Sequence, residues 1–293
     1  MVCPIVGISA GLKGGRIATA MAQPVTQGEP STTPLSLQAQ GVSKRFEGRG
    51  GAVQALRQVN LSAREGEFVS IIGPSGCGKS TLFNIFSGVL KPDEGHVYIH
   101  DQAVGGRVGF TGYMPQKDLL LPWRTVQDNV ILGSEVAGVP KQDAVEEALP
   151  LLREFGLGGF ESAYPHTLSG GMRQRVAFLR TVLYGKDILL LDEPFGALDA
   201  MTRSAMQEWL LGVWRRMRQT IIFVTHDVEE AVLLSDHVYV MTARPGQIRK
   251  KIAVDLPRPR TYEMLVDRRF LDHKLELLQA LHEESEAALV GPP

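Results

Sequence analysis

The segment Gly73-Pro-Ser-Gly-Cys-Gly-Lys-Ser80 decides the fold of this chain. It matches the pattern G-x-x-x-x-G-K-[ST], and it lies between the apolar run 68–72 and a sequence that predicts a helix over 79–90. Glycines in such a turn let backbone N–H groups approach phosphates closely, and the helix N-terminus adds positive potential. An ordinary glycine-rich turn explains eight matching positions in this strand-to-helix setting poorly, so we expect a polyphosphate site.

The charged and hydroxyl residues of this loop have separate expected tasks. The ammonium of Lys79 is expected near the β- and γ-phosphates of a nucleotide, and the hydroxyl of Ser80 is a ligand for Mg²⁺. The predicted nucleotide-binding residues are Gly73, Pro74, Ser75, Gly76, Cys77, Gly78, Lys79, Ser80 and Thr81.

Strands and helices are predicted on both sides of the loop. Apolar, β-prone runs predict strands over 35–40, 55–63, 68–72, 97–99, 108–113, 188–191, 220–225 and 238–241. Helical patterns cover 79–90, most of 126–180, 200–218 and 228–234. Continuously apolar strands flanked by helices are typical of an α/β fold with a buried parallel sheet, whose ligands gather at the carboxyl ends of the strands.

Two acids follow the apolar run 188–191 at that predicted edge. Asp192 and Ser80 are expected to hold a Mg²⁺ ion, which leaves Glu193 free to accept a proton from an attacking water or to orient it. The alternative is that the two acids only cap the following turn. A phosphate loop in the same chain favours hydrolysis.

A second glycine motif, Leu168-Ser-Gly-Gly-Met172, precedes a predicted helix. Ser169 is expected to cap that helix, and the glycines would expose amides at its positive end, which makes a second anion site. Helix capping alone explains the motif about as well. If the helical block stands apart from the phosphate loop, these amides reach a γ-phosphate best in another copy, which suggests a dimer with shared sites.

Composition excludes several classes of protein. Thirty-one Lys and Arg against 32 Asp and Glu give a net charge of −1, so nucleic acid is not an expected partner. No apolar run exceeds four residues, and a membrane-spanning helix is not predicted. Two cysteines make no disulfide framework, which indicates a reducing compartment. Residues 1–34 are polar and rich in Gly and Pro, and we expect an uncleaved, flexible leader.

The motifs in this order resemble those of the ATP-binding cassette (ABC) ATPases. The matching segments are 73–81, Gln116, 168–174, 188–194, 197–199 and His226, within a resemblance that spans about residues 35–255. It implies the parallel sheet core of P-loop NTPases, an antiparallel β-subdomain and an inserted helical subdomain at about 117–185. The expected organisation is a leader at 1–34, an ABC ATPase domain at 35–260 and a helical tail at 261–293.

The resemblance also implies roles for residues that physical reasoning alone leaves open. Phe46 looks like the aromatic that stacks on adenine, where a core position is the ordinary alternative, and Gln116 looks like the glutamine that links Mg²⁺ and the attacking water to membrane subunits. His226 is similar to the histidine that contacts the γ-phosphate, and Asp199 to an aspartate that contacts the opposite protomer. The residues implied to close over the partner's ATP are Leu168, Ser169, Gly170, Gly171, Met172, Arg173 and Gln174.

A single cassette without a membrane span resembles the separate ATPase subunits of importers. Segments 113–126 and 241–246 look like the nitrate, sulfonate and taurine group. The implied cofactors are ATP and Mg²⁺. The implied partners are a second copy, transmembrane permease subunits and, indirectly, a solute-binding protein, at the cytoplasmic face of the cell membrane.

Two other classes of function fit the sequence less well. A translation or DNA-repair ABC protein is disfavoured because the 52 residues between Gln116 and Ser169 leave no room for a coiled coil. A non-hydrolysing nucleotide switch or assembly scaffold is the remaining alternative, and Glu193 together with His226 argues against it.

The C-terminal tail contains leucines at helical spacing, which predict one apolar stripe. They are Leu271, Leu275, Leu278 and Leu281. Several glutamates in the same segment favour docking on the cassette or its twin over binding to an anionic membrane.

Overall fold

The computed structural model describes residues 33–48, 51–196 and 198–290, with side chains up to residue 284. The expected leader at 1–34 lies outside these residues except for its last two positions, and so does Ala197 of the 197–199 motif.

Ten strands and eight α-helices make up the described part of the chain. The strands are β1 (Leu35–Gly48), β2 (Gly51–Arg64), β3 (Phe68–Ile72), β4 (Glu94–Ile99), β5 (Gln102–Ala103), β6 (Gly112–Met114), β7 (Ile188–Asp192), β8 (Thr220–Val224), β9 (His237–Met241) and β10 (Ile248–Ala253). The helices are α1 (Lys79–Phe86), α2 (Val126–Val130), α3 (Leu132–Val136), α4 (Lys141–Glu154), α5 (Gly170–Val182), α6 (Ala200–Met217), α7 (Val228–Leu234) and α8 (Arg268–Val290). Short 3-10 helices cover Pro165–Thr167 and Tyr262–Val266.

A six-stranded sheet in the order β10-β9-β3-β8-β7-β6 forms the core. All its neighbours are parallel except β10, which pairs antiparallel with β9. Side chains of β3 alternate between two apolar clusters: Phe68 and Ile72 face the layer that contains α5–α8, and Val69 and Ile71 face α1 and the second sheet. The parallel sheet buried on both faces confirms the expected α/β fold.

A second, antiparallel sheet has the order β2-β1-β4-β5, and helices α2–α5 are inserted between β6 and β7. Both features were expected from the resemblance. The β1–β2 hairpin is longer than the strands predicted at 35–40 and 55–63, because register shifts accommodate the left-handed residues Gly41 and Gln58 within it.

Two sequence predictions fail at glycines. The helix predicted over 79–90 ends at Phe86, because Gly88 is left-handed and a Cβ there would lie 2.0 Å from the carbonyl oxygen of Arg107. The strand predicted over 108–113 starts only at Gly112, since Gly109 has a φ of 98° and Val108 is exposed.

Helix α8 packs through a different face from the one predicted. Its buried apolar side chains are Phe270, Leu277 and Ala280. Of the predicted stripe, only Leu281 packs against the core, and Leu271, Leu275 and Leu278 are exposed. The packed face is offset from the stripe by about one residue, which corresponds to a rotation of roughly 100° around the helix axis. None of the helices in the described ranges has the length and apolar content to cross a bilayer.

Candidate active site

The register of the core sheet brings three chain segments to one edge. Val224 at the end of β8 is paired with Ile71 of β3 on one side and with Asp192 of β7 on the other. The phosphate loop, the two acids and the Thr225–His226 segment therefore leave the sheet side by side, at the carboxyl edge where the sequence predicted a ligand site.

The phosphate loop needs its glycines at two close contacts. A Cβ at Gly73 would lie 2.8 Å from the carbonyl oxygen of Met241. Gly78, which precedes α1, has a φ of 110°, and a Cβ there would lie 2.7 Å from Leu56 Cδ2. The loop is therefore packed on β2 and β9, and its backbone amides are free of side-chain bulk.

Lys79 lies inside the loop that it terminates. Its Nζ donates hydrogen bonds to the carbonyl oxygens of Gly73, at 2.7 Å, and Pro74, at 2.9 Å, and only 8% of the residue is exposed. Cys77 Sγ is 3.7 Å from the same ammonium. The charge is thus fixed at the centre of the turn, as a lysine that meets phosphates requires.

Asp192 is buried at the end of β7, with 2% of its surface exposed. Burial raises the pKa of its carboxyl, the charge of Glu193 adds to this, and a hydrogen bond with Ser80 and the charge of Lys79 oppose it. Among the described residues Asp192 Oδ2 has no hydrogen-bond partner. A buried carboxylate oxygen without a donor, beside a serine hydroxyl, fits the oxygen ligands that Mg²⁺ prefers.

The carboxylate of Glu193 contacts two of the other predicted site residues. Its Oε2 accepts a hydrogen bond from Gln116 Nε2 at 3.2 Å and lies 3.4 Å from His226 Nδ1. The backbone of Glu193 is left-handed, with a φ of 50°, and its N–H donates to the carbonyl of Val224 at 2.9 Å. This turn points consecutive acids to different surroundings: Asp192 into the protein and Glu193 toward Gln116 and His226.

The second glycine motif is at the N-terminus of α5. Ser169 Oγ accepts a hydrogen bond from the N–H of Met172 at 3.3 Å, which confirms that Ser169 caps this helix. Ser169 and Gly170 are exposed, whereas Leu168 and Gln174 are buried. Among the described residues, no hydrogen bond or ion pair joins residues 168–174 to the phosphate loop.

The side chain of Arg173 holds this motif in place. Arg173 Nε donates to Asp118 Oδ2 at 3.0 Å, and its Nη1 donates to the carbonyl of Leu168 at 2.8 Å. Asp118 lies two residues after Gln116. The bond from Arg173 to Asp118 therefore joins the second glycine motif to the segment that carries the glutamine.

The two remaining predicted residues lie on the surface. Phe46 in β1 is exposed and has Lys44 Nζ 5.7 Å from its ring centroid, so the alternative of a core aromatic is wrong. Asp199 caps α6, with Oδ1 accepting from the N–H of Thr202 at 3.0 Å, and this hydrogen bonding lowers the pKa of its carboxyl.

Sequence reasoning missed a residue that touches the phosphate loop. Arg244 donates from Nε at 3.2 Å and from Nη2 at 2.9 Å to the carbonyl of Gly76. The segment 241–246 was singled out only as a marker of a transporter group, and no local pattern shows that its arginine folds back across 168 residues of chain.

This chain is similar to known ABC transporter proteins. The family model described as ABC transporter matches residues 56–196. An uncharacterized ABC transporter ATP-binding protein of Methanocaldococcus jannaschii is 45% identical over 250 residues, covering 85% of this chain and 92% of that protein. The aliphatic sulfonates import ATP-binding protein SsuB of Bacillus cereus is 44% identical over 75% of this chain and 86% of its own length.

A solved structure shares the fold. It is an ATP-binding cassette in a dimeric, post-hydrolysis state bound to ADP and Pi, with 30% sequence identity and a TM-score of 0.69. The match covers 75% of this chain and all of that one.

Proposed function

Since this chain belongs to the family of ABC transporter ATP-binding proteins, which are ATPases, we propose that it couples ATP hydrolysis to import of a small solute through separate membrane subunits. The observation that carries the proposal is the grouping of Gln116 and His226 around Glu193 Oε2, next to the buried carboxylate of Asp192. A protein that only bound nucleotide would not need this second acid with two polar neighbours.

The residues divide the chemistry between them. The loop amides of 73–81 and the ammonium of Lys79 hold the phosphates, with Phe46 stacking on the base. Ser80 and Asp192, with Gln116 beside them, would hold Mg²⁺, which supplies positive charge to the β- and γ-phosphate oxygens.

The same geometry supports a role for Glu193 in hydrolysis. Its Oε2 accepts the proton of the attacking water or orients that water. Gln116 would link the Mg²⁺ and the attacking water to the membrane subunits, and His226 would contact the γ-phosphate. Because the transition state is loose and spreads charge over the phosphoryl oxygens, positioning and positive potential do most of the work.

The exposed amides after Ser169 support a head-to-tail dimer. Each ATP would lie between residues 73–81 of one copy and residues 168–174 of the other, with Asp199 at the contact. ATP then favours the closed dimer because it fills both composite sites, and hydrolysis releases the two copies.

Exposed apolar side chains on two neighbouring segments support docking of permease subunits at the cytoplasmic face of the membrane. They are Leu119, Trp123, Phe160 and Tyr164, and Trp123 is 72% exposed. The backbone N–H of Val126 donates to the carbonyl of Ala163, which joins the two segments. Large exposed apolar side chains grouped on a surface indicate interaction sites, and the first segment closely follows Gln116 in sequence.

The nitrate, sulfonate and taurine group is the proposed branch, with a solute-binding protein as an indirect partner. Its support is the similarity of 44% to the Bacillus cereus protein SsuB over most of both chains. A soluble nucleotide switch is the alternative, and steady-state Mg²⁺-dependent phosphate release by the purified protein would exclude it.

The test is Glu193→Gln, which keeps the shape of the side chain and removes its basicity. We expect ATP binding to stay within about threefold of wild type and phosphate release to fall by at least about 100-fold. Size-exclusion chromatography with ATP should show an accumulated dimer.

The matched control is Glu154→Gln, at an exposed position at the end of α4. It should hydrolyse ATP like the wild type. Wild-type turnover by the Glu193→Gln variant would show that this carboxylate is not the base.

A further inference from the structure

Four polar side chains outside the nucleotide site form one hydrogen-bonded chain. They are Tyr262 in the C-terminal 3-10 helix, Gln207 in α6, Glu230 in α7 and Thr225, which directly follows β8. Glu230 is only 7% exposed, so its carboxyl needs donors from the protein. Gln207 and Thr225 supply these donors.

The first half of the chain runs from the C-terminal segment into α7. The hydroxyl of Tyr262 donates to Gln207 Oε1. Gln207 Nε2 donates to Glu230 Oε1 at 2.9 Å. Because an amide has one oxygen and one nitrogen, the hydroxyl of Tyr262 determines that Gln207 presents its nitrogen to Glu230.

The second half runs from Glu230 to the peptide beside His226. Thr225 Oγ1 donates to Glu230 Oε2 at 2.6 Å and accepts the N–H of Asp227 at 3.0 Å. Thr225 and Asp227 are the two neighbours of His226. The backbone on both sides of the histidine is therefore held by a chain that starts at Tyr262.

The same C-terminal segment also holds the far end of α7. Arg260 Nη1 donates to the carbonyls of Val232, at 3.0 Å, and Ser235, at 2.6 Å. Arg258 Nη2 donates to the carbonyl of Leu234 at 2.9 Å. These charged donors satisfy helix-end carbonyls, so α7 is anchored by residues 258–262 at both its middle and its end.

We propose that Tyr262 is a positioning residue for His226, so that the C-terminal segment sets the rate of ATP hydrolysis without touching the nucleotide. The inference rests on the proposed role of His226. These hydrogen bonds determine where the backbone of His226 lies. Breaking them should therefore slow ATP turnover, while the phosphate loop, which would bind ATP, stays in place.

The test is Tyr262→Phe, which removes one hydroxyl and keeps the ring. We expect kcat to fall about fivefold while KM for ATP stays within about twofold. The matched control is Tyr239→Phe, which removes a hydroxyl that donates to the carbonyl of Ser62 at 2.9 Å and does not join this chain. A purely structural hydroxyl would lower the melting temperature in both variants and leave kcat unchanged.

Two further variants separate this inference from the proposed function. If His226→Ala hydrolyses ATP at the wild-type rate, the histidine has no catalytic role, and both statements about it are wrong. If His226→Ala loses activity and Tyr262→Phe keeps full kcat, only the inference is overturned.

The double variant of His226→Ala and Tyr262→Phe completes a double-mutant cycle. Adding Tyr262→Phe to His226→Ala should change the residual rate by less than about twofold, because the hydroxyl acts through the histidine. A further fivefold loss in the double variant would overturn the inference.

Discussion

Glu193 has a backbone conformation that few residues other than glycine adopt, and the surrounding sheet maintains it. Its N–H is bonded to Val224, which also pairs with Asp192. The left-handed residue is the proposed base itself, and it directly follows Asp192, the last position of β7. Two neighbouring carboxyl groups thereby obtain different environments, one buried and one partly exposed, which is how adjacent acids take separate roles.

Asp192→Asn should stabilise the nucleotide-free and Mg²⁺-free protein. Burial raises the pKa of Asp192, so its folded form disfavours the charge; the stability that this group contributes is present below its unfolded pKa and is lost as pH rises through the folded pKa. An amide avoids that loss. We expect the variant to melt at least about 2 °C above wild type at pH 7, with a smaller difference near pH 4, by scanning calorimetry.

Addition of Mg²⁺ and ATP gives the second readout for Asp192→Asn. Wild type should gain stability from them by mass action and the variant should gain much less. Equal melting temperatures at pH 7 without ligand would show that the buried carboxylate carries no such penalty.

The sequence predicts which residues meet at the site better than it predicts how they are bonded. Lys79, Ser80, Asp192 and Glu193 follow from motifs that each lie within eight or fewer positions. The bonds from Lys79 to the carbonyls of its own loop depend on peptide orientations that the residue types do not determine. The Tyr262 chain was missed because its members are ordinary polar residues spread over 55 positions between Gln207 and Tyr262.

At the scale of elements, the turn after β9 supports the phosphate loop. Gly246 accepts from the N–H of Arg57 and donates to the carbonyl of Ala55, each within 3.0 Å, which fixes the turn on β2. A Cβ on Gly246 would lie 2.1 Å from the carbonyl oxygen of Cys77. The phosphate loop is thus packed directly on a second glycine-containing turn.

Gly246→Ala should weaken ATP binding. The added methyl group has to displace the Cys77 peptide, and the loop amides then no longer converge as they do in wild type. We expect KM for ATP to rise about tenfold in a steady-state phosphate-release assay.

Gly212→Ala is the matched control, because Gly212 lies inside α6 and a Cβ there meets nothing within 4 Å. It should leave KM unchanged and stabilise the protein by about 1 kcal/mol, since alanine is the better helix former. An unchanged KM in Gly246→Ala would show that the turn after β9 does not support the loop.

The elements themselves were predictable where apolar runs are continuous. Strand β3 and helix α7 have the predicted bounds, and β7, β8 and β9 differ from prediction by one residue. The predictions fail where the conformation of a glycine determines the end of an element, or where tertiary packing determines which face of a helix is buried. Gly88 and Gly109 end or delay elements through positive φ values, and α8 buries Phe270 although its leucines form the more regular stripe.

At the scale of the whole molecule, the two glycine motifs belong to different subdomains and are not hydrogen-bonded to each other within the described chain. The phosphate loop belongs to the core sheet, and Ser169 caps a helix of the insertion between β6 and β7. A two-fold symmetric pair in which each copy supplies both motifs would complete two equivalent sites at once. In such a pair, the exposed Ser169 and Gly170 amides of one copy would meet an anion held by the phosphate loop of the other copy.

Mixing two inactive variants tests that arrangement. Lys79→Met removes the phosphate-loop charge, and Ser169→Arg blocks the second motif with bulk, so each homodimer should be inactive. In a mixed dimer, the intact loop of the Ser169→Arg chain meets the intact Ser169 of the Lys79→Met chain, and one composite site is restored. Random pairing makes half the dimers mixed with one of two sites working, so equal mixing should recover roughly a quarter of wild-type hydrolysis per chain.

The control is each variant mixed with Glu193→Gln. Ser169→Arg with Glu193→Gln gives a mixed dimer in which the intact Glu193 and phosphate loop of one chain meet the intact Ser169 of the other, so activity should again return. In a mixed dimer of Lys79→Met with Glu193→Gln, each of the two sites contains one of the two defects. Neither site is restored, so that mixture should stay inactive. Recovery in no mixture would mean that each chain closes its own site, because only residues shared across the dimer can complement in this pattern.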